Sequence, residues 1–137
     1  MKTPNFPVVI IGASAGGLKA IETILYNLPE HTGMAFIIIQ HLSRKYKSLM
    51  KEILEKVTPM PVNVAVDCMG LKANEIFLNP PGYELSVENY QIHLGEQNIE
   101  QIPSFVIDTS FHSIGRNLKE KAIGLILSGT GSDGSRG

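Results

Sequence analysis

Short runs of apolar, largely β-branched residues alternate along this chain with segments that repeat apolar residues at helical spacing. The first run is "VVIIG" at residues 8–12, which is followed by "LKAIETILYNL" at 18–28 and by a second run, "MAFIIIQ", at 34–40. Continuous apolar runs of this length, stopped by glycine or a polar residue, are typical of strands buried on both faces. Strands that alternate with helices are joined by crossovers, so the pattern predicts an α/β fold with a doubly wound, mostly parallel sheet.

The same alternation continues to the end of the chain. The further predicted elements are helices at 47–57 and 107–118, an edge strand at 61–66, a fourth strand at 75–80 and a last buried strand at 122–129. The helix at 47–57 places one set of apolar residues on a single face: Leu49, Met50, Ile53, Leu54 and Val57. Residues 83–95 alternate apolar and polar side chains on both sides of Glu88 and Asn89, which predicts a small antiparallel hairpin. Together these elements predict a Rossmann-like, three-layer domain.

Composition excludes several classes of protein. With 137 residues, 43% of them hydrophobic, the chain suits one domain with a real core, and a net charge of −1 argues against a general nucleic-acid binder. Cys68 is the one cysteine, so no disulfide framework and no cysteine–histidine zinc spacing can be read from the sequence. The first apolar run is far too short for a signal peptide or a membrane span. We therefore expect a cytoplasmic protein without membrane insertion, metal or cofactor.

The stretch "GASAGG" at residues 12–17 follows the first predicted strand and opens the first predicted helix. A dinucleotide site requires G-x-G-x-x-G and an acid after the next strand, whereas this chain has Ser14 at the second glycine position and Gln40–His41 after that strand. The stretch does match G-x-S-x-G, which presents a serine on a sharp strand-to-helix turn. Taken alone, the pattern leaves three roles open for Ser14: nucleophile, helix N-cap or part of a phosphate-binding loop.

Two further residues complete a candidate catalytic triad. His41 directly follows the second buried strand, and Asp133 lies in "GTGSDG" after the last one, so both are expected at the sheet edge where Ser14 lies. A serine nucleophile requires a base and an acid that orients the base, and this arrangement is recognised by geometry instead of chain order. The other three histidines are interpreted as structural or surface residues: His31, His93 and His112.

Four ordered stretches of the chain resemble the catalytic domain of the CheB family, the chemotaxis-receptor protein-glutamate methylesterases. They are "VIIGASAGG", "IIIQHLS", "EIFLNPPG" and "LILSGTGSDGSRG", and the resemblance covers nearly the whole chain. It implies a doubly wound, mostly parallel α/β fold and hydrolysis of glutamate γ-methyl esters on the cytoplasmic helices of chemoreceptors, with release of methanol. Many members of the family also deamidate specific glutamines.

The resemblance also implies roles for individual residues. Ser14 matches the nucleophile of the family, His41 its general base and Asp133 the acid that orients the base. The backbone amides near Ala15 and Thr130 match the oxyanion-binding region. Parts of the sequence look more like the version of this domain at the N-terminus of fused methylesterase–methyltransferase sensor proteins, which implies methyltransferase or sensor-kinase domains in a longer parent protein.

The resemblance leads to one domain over residues 1–137, without a preceding receiver domain and shortened at its C-terminus relative to the family. Two other functions remain as alternatives at this point. One is a catalytically silent docking or regulatory domain of a fused sensor protein. The other is a Rossmann-type nucleotide- or phosphate-binding module, in which the two glycine-rich loops bind anions and His41 has no role.

Overall fold

The protein alternates short strands with two helices through its first half. A computed structural model describes residues 5–13, 17–40, 49–96, 112–116 and 118–127. The strands are β1 (Val8–Ala13), β2 (Ala35–Gln40), β3 (Val62–Val64), β4 (Ile76–Leu78), β5 (Tyr83–Glu88), β6 (Gln91–Glu96) and β7 (Ala122–Leu127), and the helices are α1 (Leu18–Tyr26) and α2 (Met50–Glu55). Residues 112–116 are also helical, and Lys119–Lys121 form a 3-10 turn. None of the helices in these ranges has the length and apolar character of a membrane span.

Five strands form a parallel sheet in the order β3-β4-β2-β1-β7, and β5 and β6 form a separate antiparallel pair. The prediction of a doubly wound, mostly parallel sheet with a small hairpin is therefore confirmed. Five consecutive residues of β2 are buried, as expected for a strand with a neighbour on each side and a layer on each face. This explains why the sequence of β2 is a continuous apolar run and does not alternate.

Each face of the sheet carries its own apolar core. On one face, Ile11 and Ile38 pack with Ile21 and Leu25 of α1 and with Leu54 of α2. On the opposite face, the sheet packs against the hairpin and against the helical residues near the end of the chain. The residues that form that second core include Ile10, Ile37, Phe77, Leu85, Val87, Ile92, Ile114 and Leu118. The domain thus has three layers, and the hairpin supplies part of the third.

The hairpin turn is held by a contact with the start of the chain. Asn89 and Tyr90 have φ angles of 53° and 59°, so both central residues adopt the left-handed conformation of a type I′ turn. This conformation is unusual for tyrosine. The Tyr90 hydroxyl donates a hydrogen bond to the carbonyl of Phe6 at 3.0 Å, and the two rings meet edge to face with centroids 4.9 Å apart. The turn lies one residue beyond the predicted Glu88–Asn89, because Glu88 still pairs with Gln91.

Two sequence predictions about burial are wrong. The prediction that the last strand is buried fails for the described residues, in which β7 is the end strand of the sheet and Ile123, Leu125 and Ile126 are 49%, 38% and 45% exposed. Its apolar sequence resembles that of a central strand, and only the strand order reveals its position. Leu49 does not lie on the buried face of the second helix either, since it is the N-cap residue and is 59% exposed.

Candidate active site

Three parallel strands end level with one another at the carboxyl edge of the sheet. Ala13, the last residue of β1, pairs with Gln40 of β2 on one side and with Leu127 of β7 on the other. Each of these three residues is the last of its strand. In the sequence, Ser14 directly follows Ala13 and His41 directly follows Gln40. The register therefore brings the strand ends that precede two of the candidate catalytic residues side by side.

The candidate residues themselves are Ser14, Ala15, His41, Thr130 and Asp133, and all five lie outside the described residues. The nucleophile, base, orienting acid and oxyanion assignments therefore stay predictions. Of the three remaining histidines, His31 and His112 are exposed, in agreement with their interpretation as surface residues. His93 lies on β6 and is half-buried.

The strand order also changes direction at this edge. From β1 the chain passes through α1 to β2 on one side, whereas β7 lies on the other side of β1. In open α/β sheets, ligands bind outside the carboxyl ends of the strands where the strand order reverses. The carboxyl ends of β1 and β7 therefore mark the place where this fold is expected to bind a substrate.

Helix α1 begins at the same edge. Gly17 is its N-cap residue and is buried, and it has no side chain that could cap the helix. The carbonyl of Gly17 accepts the first helical hydrogen bond, from the amide of Ile21, at 3.0 Å. The first turn of α1 contains no acidic side chain. The positive end of a helix dipole favours negative charge within about one turn. The electrostatics of this edge therefore suit the oxyanion of an acyl-transfer reaction.

Asn79 binds the end of β2, a role that the sequence analysis missed. Its side-chain oxygen accepts a hydrogen bond from the amide of Gln40 at 3.0 Å, and its side-chain nitrogen donates to the carbonyl of Gln40 at 3.1 Å. Asn79 is only 4% exposed, so these hydrogen bonds satisfy a buried amide group. The backbone amide and carbonyl of Gln40, the residue that immediately precedes His41, are thereby both held by one side chain.

The two prolines after Asn79 explain why a side chain takes this role. In the ladder between β2 and β4, Phe36 donates to the carbonyl of Glu75, and Asn79 donates to the carbonyl of Ile38 at 3.4 Å. Continuing this two-residue step would require an amide at position 81, which is Pro81 and has no N–H. The Asn79 side chain supplies the missing donor. The signal in the sequence was an asparagine directly before two prolines at the end of a buried strand.

Among the described residues, one titratable group has a resolved pKa shift. Burial raises the pKa of Glu84 on β5 above its ordinary value of 4.5. Glu84 pairs with Gly95 in the hairpin. The shift therefore makes the stability of the folded protein depend on pH.

Comparisons with known proteins show what this chain is similar to. A family model described as CheB methylesterase matches residues 9–137. A protein of Leptospira interrogans, provisionally named a protein-glutamate methylesterase/protein-glutamine glutaminase, is 33% identical over 136 residues, which are 97% of this chain and 69% of that protein. Protein-glutamate methylesterase/protein-glutamine glutaminase 2 of Burkholderia pseudomallei is also 33% identical, over 132 residues that are 96% of this chain and 39% of that protein.

The fold has a close counterpart among solved structures. The catalytic domain of the CheB methylesterase of Thermotoga maritima superposes with a TM-score of 0.84 at 24% sequence identity. The match covers 97% of this chain and 72% of that one. It confirms the predicted three-layer fold with its parallel sheet and hairpin.

Proposed function

Because this chain belongs to the CheB methylesterase family of hydrolases, we propose that it hydrolyses glutamate γ-methyl esters on the cytoplasmic helices of chemoreceptors and releases methanol. The observation that carries the proposal is the register of Ala13, Gln40 and Leu127 at the carboxyl edge of the sheet. Strands that end level and adjacent are what a Ser14–His41 pair requires, because each residue immediately follows one of them. Asp133 follows the third strand by six positions.

The proposed reaction is acyl transfer in two stages. His41 takes the proton of the Ser14 hydroxyl as its oxygen attacks the ester carbonyl, and the imidazolium then protonates the departing methoxide to give methanol. A water molecule, deprotonated by the same imidazole, attacks the acyl-serine, and the proton returns to Ser14 as glutamate is freed. Asp133 holds the imidazole in the tautomer that accepts the proton and stabilises the imidazolium.

The oxyanion formed in each stage requires donors that are already in place. The backbone amides near Ala15 and Thr130 are proposed for this role, because they stabilise charge only as it develops. The start of α1 supports this assignment, since its first turn has no acidic side chain to compete for the dipole. The reaction so written uses no metal or cofactor.

The same acyl-serine chemistry accounts for a second activity. The relatives from Leptospira interrogans and Burkholderia pseudomallei carry protein-glutamine glutaminase in their names as well. An amide differs from a methyl ester in its leaving group, so the His41 imidazolium would protonate the departing amide nitrogen, which leaves as ammonia, in place of the methoxide oxygen. We propose that this chain deamidates receptor glutamines at the same site.

The substrate and the setting of the enzyme follow from this activity. We propose that the partners are methylated cytoplasmic helices of chemoreceptors, that the protein acts in the cytoplasm, and that residues 1–137 form one catalytic domain. A parent protein with methyltransferase or sensor-kinase domains would place the domain next to the enzyme that supplies its substrate.

The test is methanol release from a receptor fragment that carries methylated glutamates. We expect the wild-type chain to release methanol, and Ser14→Ala and His41→Gln to lose all measurable release while retaining the circular dichroism of the wild type. Ser86→Ala and His31→Gln are the matched controls, because Ser86 lies in the hairpin and His31 is exposed in the loop before β2. Both controls should keep wild-type rates.

Two outcomes would contradict the proposal. If Ser14→Ala retained the wild-type rate, the triad assignment would be wrong. If the wild-type chain bound the receptor fragment and released neither methanol nor ammonia, the silent docking domain would be the better description. Binding of NAD by such an inactive chain would favour the nucleotide-binding alternative instead.

A further inference from the structure

Three potential metal ligands of different chemical types meet where the loop after β3 crosses the hairpin. One ligand atom from each of Asp67, Cys68 and His93 lies within 4.8 Å of the others. The thiol of Cys68 donates a hydrogen bond to Oδ2 of Asp67 at 3.7 Å. Asp67 and Cys68 are exposed and His93 is half-buried, so the cluster is open to solvent on one side.

The backbone on both sides of the cluster is held by hydrogen bonds. The amide of Cys68 donates to the carbonyl of Ile92 at 2.7 Å, and the amide of Ile92 donates to the carbonyl of Met69 at 2.7 Å. This short pairing continues as an antiparallel bridge between Gly70 and Gln91. The loop is thus attached to β6 as a third, very short strand, which fixes Cys68 beside His93.

Two further hydrogen bonds hold the groups around the cluster. Oδ1 of Asp67 accepts the amide of Leu94 at 2.9 Å, which leaves Oδ2 directed toward Cys68. The side-chain amide of Gln91 donates to the carbonyl of Cys68 at 2.8 Å. Hydrogen bonds from outside the ligand set are the usual means by which a protein orients metal ligands.

The distances suit a tetrahedral ion. With Zn–S of about 2.3 Å and Zn–O of about 2.0 Å, two ligands of a tetrahedral zinc lie roughly 3.5 Å apart. The observed separation between the Cys68 sulfur and the Asp67 oxygen is 3.7 Å. The imidazole of His93 would approach by a rotation of its side chain, because the ligand atoms are already within 4.8 Å.

We propose that Asp67, Cys68 and His93 form a binding site for a divalent transition-metal ion, and that Zn²⁺ is the ion that this donor set fits best. A sulfur, a nitrogen and an oxygen donor suit Zn²⁺, whereas Mg²⁺ and Ca²⁺ require oxygen donors throughout. Binding forms a Zn–S bond and releases the thiol proton to solvent. The exposed side of the cluster leaves the fourth position to water.

This proposal departs from the expectation that the chain binds no metal. Metal sites are recognised in a sequence by short ligand spacings, whereas Cys68 and His93 are far apart in this one. They become neighbours only because the loop after β3 pairs with β6. The proposal is independent of the methylesterase assignment, because none of its three residues belongs to the candidate triad.

The test uses ZnCl₂ and CoCl₂ with the chain after removal of metal by a chelator. Zinc affinity is measured by competition with a chromophoric chelator, and cobalt binding by its visible and near-ultraviolet absorption. The variants are Cys68→Ser, His93→Gln and Asp67→Asn, of which Asp67→Asn keeps an oxygen that can accept the amide of Leu94. His31→Gln and His112→Gln are matched controls at exposed histidines. Circular dichroism and Tm without metal show that each variant is folded.

We expect one ion per chain, a thiolate-to-cobalt charge-transfer band and a metal-dependent rise in Tm. Cys68→Ser should abolish the band, and each ligand variant should weaken zinc binding by more than about tenfold, since loss of an outer hydrogen-bond partner alone costs 10- to 100-fold. The two controls should bind as the wild type does. The absence of stoichiometric binding by the wild-type chain, or equal binding by folded Cys68→Ser, would overturn the proposal.

Discussion

Replacing Asn79 by alanine removes the side chain that holds the end of β2. The substitution deletes two hydrogen bonds, of 3.0 and 3.1 Å, and leaves the amide and carbonyl of Gln40 without these partners. A net contribution of about 0.5–1.5 kcal/mol per hydrogen bond predicts a loss of roughly 1–3 kcal/mol in the free energy of unfolding. The loss should approach the upper figure, because Asn79 is 4% exposed and water can replace the amide only in part.

The same substitution should slow the reaction. Gln40 immediately precedes His41, so a displacement of its peptide group is passed directly to the proposed base. A misplacement of about 1 Å can cost on the order of 100-fold in rate. We expect kcat for methanol release to fall by at least about tenfold with little change in KM, because Asn79 positions the base and does not bind substrate. Asn79→Asp should be at least as damaging, since its carboxylate would face the carbonyl of Gln40.

Asn63→Ala is the matched control for this prediction. Asn63 also makes two hydrogen bonds, to Oε1 of Glu75 and to the carbonyl of Ile76, but it lies in β3, at the other end of the sheet from β7. Urea unfolding gives the stability of both variants, and methanol release is then measured where both are folded. The reasoning is refuted if Asn79→Ala lowers kcat no more than Asn63→Ala does.

The hairpin and the turn that precedes it supply three further predictions. Tyr90→Phe removes the hydrogen bond to the carbonyl of Phe6 and keeps the ring contact, so urea unfolding should show a loss of about 1 kcal/mol, and an unchanged midpoint would contradict this. Glu84→Gln should stabilise the protein at pH 7. Burial raises the pKa of Glu84 in the folded protein, so the folded state favours the protonated carboxyl over the charged one. The contribution of this group to the free energy of unfolding is therefore lost as pH rises above 4.5 and passes through the folded-state pKa. The gain from Glu84→Gln should therefore shrink as pH falls toward 4.5, and a gain independent of pH would contradict the assignment. Gly82→Ala should lower the free energy of unfolding by about 1 kcal/mol, because Gly82 has a φ of +82°, which alanine adopts only with strain. Gly82 lies in the turn that is closed by a hydrogen bond from the amide of Tyr83 to the carbonyl of Pro80. Thermal unfolding measures the effect, and an unchanged Tm would contradict the prediction.

The sequence by itself determined the identity of most elements. The apolar runs of β1 and β2, the helical periodicity of α1 and the alternation in the hairpin are local patterns, and each predicts its structure without knowledge of the rest of the chain. The same holds for the general location of the site, because the carboxyl ends of parallel strands share one edge of a sheet. The assignment of Ser14, His41 and Asp133 still rests on the sequence and on the family.

Only the tertiary structure decided which strands are neighbours, and the functional details depend on that order. The insertion of β4 between β3 and β2 brings Asn79 to Gln40. Within the described residues β7 is an end strand with exposed side chains, although its sequence is that of a buried strand. The pairing of the loop after β3 with β6 brings Cys68 to His93. The periodicity of a segment shows how its side chains are divided between core and solvent. Contacts between distant segments depend instead on the strand order and register of the whole sheet, and no local sequence pattern specifies these.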